Sequence, residues 1–284
     1  MNAIELSHIQ KSFGSFAIQD LTLTVPEGSI CGLVGENGAG KSTTIRLLMG
    51  ALPADGGTVR VLGTDVEDPA FFAVKEQVGV VLDEAYFPEV LSAAQVGRVL
   101  ADTYRNWDKE RYQELLRRFD LPEKKIFKEY SRGMRMKLAI AAALSHAPKL
   151  LVLDEATAGL DPIIRDEVLD LLYDFTREED HSILISSHIL SDLEKLCDTI
   201  AFLHQGRLLF CEEKDRLLEE YGIFTGTAEQ AESLRREAVV GREESAYGGV
   251  RALVRRDLVP PALELEKPTV EDVILFTVKG GKRA

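Results

Sequence analysis

Between about residues 29 and 211 the apolar positions alternate between two rhythms. Short, almost wholly apolar runs (SICGLVG, KLLVLDE, SILISSH) are each followed by a helical pattern (KSTTIRLLMGAL, IIRDEVLDLLYDFTREE, ILSDLEKLC). Strands without a polar face, each followed by a helix, predict an α/β fold with a mainly parallel sheet covered on both sides. Ahead of them, IELSHIQKSF and FAIQDLTLTV flank Gly14 and Ser15 and predict an antiparallel pair, the start of a small antiparallel β subdomain. Between Leu91 and Leu144 the strand signal fades and several apolar-periodic helices follow one another, which predicts an inserted helical subdomain over about 85–145. After about Glu220 the rhythm changes again. GIFTGT, AEQAESLRREA, VVGREESAYGGVRALVRR and VEDVILFTVKG predict a small C-terminal α/β appendage over 221–284, after a main domain over 1–220. Thr269 and Asp272, behind Pro268, are spaced as a capping box for its last helix.

Composition narrows the classes. The 284 residues, 45% apolar and 29% charged, are enough for a full core. The longest apolar runs, such as LAIAAAL, are too short to cross a bilayer, and the N-terminal MNAIELSHIQKSFG lacks the pattern of a signal peptide. The expectation is a protein that stays in the compartment where it is made. Cys31, Cys197 and Cys211 have neither metal-type nor redox-type spacing and are expected as buried thiols in a reducing cytosol. A formal net charge of −13 argues against general affinity for nucleic acid and against electrostatic attachment to an anionic membrane. Any membrane contact is therefore expected through a protein partner.

The chemistry concentrates in two stretches. Gly35 to Ser42, GENGAGKS, matches G-x-x-x-x-G-K-[ST] between a predicted strand and a predicted helix, the context of a P-loop NTPase core. Glycines at 35, 38 and 40 let backbone amides turn inward toward phosphate, and the following helix adds the positive end of its dipole. Lys41 is expected to reach the β and γ phosphates of a nucleotide, and the Ser42 hydroxyl to ligate Mg²⁺. LLVLDE, Leu150 to Glu155, is a buried strand ending in two carboxylates, where strand ends of such sheets meet their ligands. Asp154 is expected to hold the metal through its water shell, and Glu155 to polarise the attacking water. Glu155 also suits a plain helix-start carboxylate.

Over about residues 3 to 212 these marks, in this order, resemble the nucleotide-binding subunit of ATP-binding-cassette (ABC) transporters. The resemblance implies that Phe13 stacks on adenine and that GENGAGKST, with Asn37, Ala39 and Thr43, cradles the phosphates of ATP. It implies that YSRGM stands at the family's Leu-Ser-Gly-Gly-Gln signature, that Asp161 of LLVLDEATAGLD contacts nucleotide, and that His188 of SSHIL is the switch histidine. Each also has a local reading. Aromatics such as Phe13 favour strands, Asp161 before Pro162 suits a helix N-cap, and His188 suits a satisfied histidine after a strand.

The chain departs from the family's pattern twice. Asp83 follows the strand VGVVL where the family usually has Gln, and a carboxylate accepts hydrogen bonds but cannot donate them. Metal contact through Asp83 is expected to survive, with other bonds changed. In YSRGM only Ser131 and Gly133 keep the signature chemistry, a hydroxyl and a Cβ-free backbone at a helix start. Arg132 gains about 0.8 kcal/mol in helix propensity over Gly and loses roughly 0.3–1 kcal/mol to the dipole. Helix stability leaves it unexplained, so a nearby phosphate or carboxylate, or an acid across an interface, is expected to face it.

The resemblance further implies an ATPase of the bacterial exporter (ABC-2) type that closes as a homodimer or heterodimer on Mg-ATP. Such a subunit drives a separate transmembrane permease and sits on the cytoplasmic face of the membrane through it. The alternative is a soluble cassette ATPase acting on ribosomes or DNA, whose usual tandem cassettes, long coiled coils and zinc sites do not occur in the sequence.

Overall fold

The computed structural model describes residues 1–83, 87–244 and 249–281, and within them the chain forms two compact units, Met1–Cys211 and Glu212–Ala284. The first unit begins with an antiparallel sheet of strands β1 (Asn2–Phe13), β2 (Phe16–Pro26), β4 (Gly56–Val61) and β5 (Thr64–Asp65), in the order β2-β1-β4-β5. Its central sheet holds β3 (Ile30–Val34), β6 (Val78–Val81), β7 (Leu150–Asp154), β8 (Ser182–Ser186), β9 (Thr199–His204) and β10 (Arg207–Glu213), in the order β10-β9-β3-β8-β7-β6. Strand β3 lies parallel to β8 and β9, and β7 parallel to β6 and β8. Every residue of β3, β7 and β8 is buried, as expected of apolar strands covered on both faces.

The register of these strands decides what meets at the sheet's edge. Leu33 and Asp154 both pair with Ser186, so the chain leaves β3, β7 and β8 at one level, on their C-terminal side. That side is where ligands bind in open α/β sheets. Helices α1 (Lys41–Leu48) and α2 (Phe71–Val74) follow in the first half of the unit, and Ile45, Leu47 and Leu48 of α1 join one core with Leu33, Leu150, Val152 and Leu184.

Helices α3 (Ala93–Thr103), α4 (Lys109–Arg118) and α5 (Arg132–Leu144) form the inserted helical region. Their starts are fixed locally by Ser92 with Gln95 in a capping box, by Asp108 and by Ser131. Leu115, Phe119, Phe127, Tyr130 and Met136 are buried in this region. The chain returns from α5 directly to β7, and α6 (Pro162–Phe175) and α7 (Leu190–Leu196) then link β7 to β8 and β8 to β9. Cys31 and Cys197 are buried; the Cys31 thiol is pushed upward in pKa by a hydrogen bond with Cys211 and by burial.

The turn Gln205-Gly206 between β9 and β10 is built closely against neighbouring backbone. Gly206 has φ +78°, a Cβ there would lie 1.9 Å from the Ala17 carbonyl oxygen, and its N–H donates to Ala39 O at 3.0 Å. Gly206→Ala is expected to destabilise the fold by about 2–4 kcal/mol, from left-handed strain and backbone displacement together. Urea unfolding checks this through the transition midpoint, and an unchanged midpoint would show that the turn yields freely.

The second unit contains α8 (Lys214–Glu220), β11 (Tyr221–Thr227), α9 (Ala228–Glu232), β12 (Val239–Glu244), β13 (Gly249–Arg255) and α10 (Val270–Gly281). Its antiparallel sheet has the order β11-β13-β12. Phe224, Ala231, Ala238, Val250, Ala252 and Val254 form a separate core. The unit starts before the boundary at 220 expected from sequence, because Leu217 of α8 is buried and α8 packs on β11 and α10. The expected box at α10 is formed: Thr269 N–H donates to Asp272 Oδ2 at 3.0 Å, and Asp272 N–H to Thr269 Oγ1 at 3.1 Å. Asp272 also pairs with Arg251 at 2.9 Å. Among the described residues, no helix is long and apolar enough to cross a membrane.

Candidate functional site

The loop from Gly35 to Gly40 joins β3 to α1 and is supported on one side only. A Cβ on Gly35 would lie 2.4 Å from the Leu203 carbonyl oxygen, whereas one on Gly38 would meet nothing within 4 Å. Gly38 and Gly40 have φ of +81° and +114°, and this left-handed path turns the loop around its open side. Ala39 is buried beneath it, Asn37, Gly38 and Ser42 are exposed, and Thr43 is half-buried. Lys41, only 7% exposed, crosses back under the loop and donates from Nζ to Gly35 O at 2.8 Å and Glu36 O at 3.4 Å.

The ends of β7 and β8 bring two carboxylates to the same edge. Asp154 is 4% exposed and its Oδ1 accepts from the Ser186 hydroxyl at 2.5 Å. The next residue, Glu155, has φ +53°, a conformation costing a non-glycine residue about 1–2 kcal/mol. It is held there by its N–H, which donates to Ser186 O at 3.0 Å and faces Ser186 Oγ at 3.2 Å. The turn carries its carboxylate between two elements: Oε1 lies 3.6 Å from Lys41 Nζ, and Oε2 meets His188 Nδ1 at 2.6 Å. His188 N–H also donates to Oε2, at 3.3 Å. Lys41, Asp154, Glu155 and His188, from three different strand ends, therefore form one connected cluster. Ser186 was missed from sequence. The signal was present in SSH, since a serine ending a buried strand beside another strand's Asp has few other hydrogen-bond partners.

YSRGM resolves into separate jobs. Tyr130 is buried, and its hydroxyl donates to Pro122 O at 2.8 Å, so it anchors the segment in the helical region. Ser131 caps α5, its Oγ accepting from Met134 N–H at 3.3 Å. Arg135, with its guanidinium 4.9 Å over the Phe127 ring, donates to Tyr130 O and Lys128 O, both at 3.1 Å. A Cβ on Gly133 would lie 3.7 Å from Leu160 Cδ2 and 3.8 Å from Gly159 O, so the start of α5 faces the loop that leads to Asp161. Asp161 caps α6 by accepting from Ile164 N–H at 3.1 Å. Phe13, at the end of β1, is 42% exposed with the Lys11 ammonium 5.7 Å from its ring centroid. No described hydrogen bond or ion pair links Ser131, Asp161 or Asp83 to the Lys41–Glu155–His188 cluster.

The acid facing Arg132 belongs to the same chain, not to one across an interface: Arg132 donates to Asp83 Oδ1 at 2.9 Å. The adjacent Glu84 lies outside the described residues. Among the described residues no group of three or more His, Cys, Asp or Glu is gathered as a metal cage. Ser42, exposed at the start of α1, and Asp154, buried at the end of β7, are the oxygen donors that would hold Mg²⁺, an ion that keeps several waters and takes few protein ligands plus substrate phosphates.

A family model described as ABC transporter matches residues 18–158. The uncharacterized ABC transporter ATP-binding protein YhcH of Bacillus subtilis is 33% identical over 283 residues, covering 97% of this chain and 91% of its own. The bacitracin transport ATP-binding protein BcrA of Enterococcus faecalis is 36% identical over 210 residues, covering 72% and 68%. Among solved structures, the dimeric post-hydrolysis state of the ATP-binding cassette MJ0796 bound to ADP and Pi superposes with a TM-score of 0.66 at 21% identity. It covers 74% of this chain and 98% of that one, and so supports the expected α/β cassette fold. With a full-length relative at this identity, the chain belongs to the ABC transporter family.

Proposed function

We propose that this chain is the ATP-binding and ATP-hydrolysing subunit of a membrane transporter, of exporter type, working through a separate transmembrane permease. The observation that carries the reading is the cluster of Lys41, Glu155 and His188 beside a glycine loop open at Gly38. Main-chain amides of Gly35 to Thr43 would receive the phosphates of ATP, with Phe13 stacked on the base. When bound, Mg²⁺ would neutralise charge on the β and γ phosphates, held by Ser42 and Asp154. Glu155 would accept a proton from the attacking water. His188, hydrogen-bonded to it, would steady the carboxylate and face the γ phosphate.

Ser131, Gly133 and Asp161 have no part in that cluster, which fits residues acting on the nucleotide of a second subunit, a like copy or a different cassette. The dimeric cassette among the structural relatives and the transport protein among the sequence relatives support this over a soluble switch on ribosomes or DNA. The subunit would sit on the cytoplasmic face of the membrane through its permease. Tagged chain purified from mildly solubilised membranes is expected to bring down a multi-span protein with two copies of this chain. Recovery of soluble machinery alone would overturn the transporter reading.

A further inference from the structure

We infer that Asp83 and Arg132, the two departures from the family's pattern, work as one pair: Arg132 is a positioning residue whose charge is required because Asp83 is acidic. This rests on the ATP-site reading above. Three segments meet at the Arg132 side chain. Its guanidinium donates to Asp83 Oδ1 at 2.9 Å, two residues beyond the end of β6. Its stem lies over Gly159, where a Cβ would be 3.4 Å from Arg132 Cδ and Nε. Its backbone is the first turn of α5. Gly159, at φ +75°, both makes the turn after Glu155 and leaves room for the arginine.

The side chains of Arg132 and Asp83 are 63% and 50% exposed, so as a surface ion pair they add little to stability. Their effect is on charge and position. Val81 of β6 pairs with Leu153 of β7, so Asp83 emerges at the sheet edge that carries Asp154 and Glu155. Bare, it would add a third carboxylate to the edge meant for a polyphosphate. Arg132 cancels that charge, and Asp83 in turn offsets the cost of a cation in the first turn of a helix. Each residue compensates the other, and the pair ties the start of α5 to the sheet.

The test is a double-mutant cycle in the full-length chain assembled with its permease. ATP hydrolysis is measured against ATP concentration for wild type, Arg132→Gly, Asp83→Gln and the double variant. Arg132→Gly is expected to raise half-saturating ATP by roughly fivefold, with maximal rate changed less, within the coupling seen for contacting charges. Asp83→Gln in the same chain is expected to restore it to within about twofold. A double variant showing the product of the two single effects would overturn the pairing, and so would an Arg132→Gly variant with wild-type saturation. A wild-type chain that hydrolyses no ATP would refute the ATP-site reading instead. The pair is then read without nucleotide by hydrogen exchange at the Met134 and Arg135 amides. There either substitution alone is expected to speed exchange and the double variant to add nothing more. Additive acceleration, or none, would overturn it.

Discussion

Glu155→Gln is expected to lower ATP turnover by about 10²–10⁴-fold, the range supplied by a positioned general base, while ATP binding persists. The amide keeps the shape of the side chain and still accepts a hydrogen bond from His188, but it cannot take a proton from water. It also loses the charge that lies 3.6 Å from Lys41. Lys41, anchored by the Gly35 and Glu36 carbonyls, keeps its site in this variant. With hydrolysis blocked and binding intact, an ATP-bound dimer should accumulate and elute early on size exclusion in the presence of ATP and Mg²⁺. Single-turnover hydrolysis separates the chemical step from binding, and wild-type hydrolysis there would remove Glu155 from the role of base.

Lys41→Ala should act on the other limb and weaken ATP binding by about 10–100-fold, since hydrogen bonds to charged groups contribute roughly 1.5–3 kcal/mol. Lys41 is nearly fully buried and joins the loop's own carbonyls to Glu155, so its removal takes away both the cation for the phosphates and the counter-charge of the carboxylate. Titration with a fluorescent ATP analogue checks the affinity directly. Unaltered affinity would mean that the loop amides alone hold the nucleotide. The contrast between the two variants is itself informative. Glu155→Gln separates turnover from binding, whereas Lys41→Ala lowers both.

Much of this was written locally in the chain. The parallel sheet follows from apolar runs too uniform to have a solvent face, and β3, β7 and β8 are buried throughout. The glycine loop follows from residues within a single turn of chain. The caps at Ser92, Ser131, Asp161 and Thr269 each bond to backbone three residues away. Such features are legible because cause and effect lie within one turn of helix.

Other features have partners far along the chain, and no periodicity announces those. Tyr130 stands at a signature position whose chemistry it does not keep, and it is a core residue bonded to Pro122. The left-handed turn at Glu155 depends on Ser186, and the buried Asp154 on the same serine, because the ladder sets β7 against β8 in one particular register. Arg132 lacks any local reason, and its reason is Asp83, 49 residues earlier, brought alongside by the packing of α5 near the end of β6. Sequence by itself determined the strands and the glycine loop, since backbone preference and burial act over a few neighbours. Tertiary structure alone decided which charges face each other, since that depends on where separate strand and helix ends are brought together.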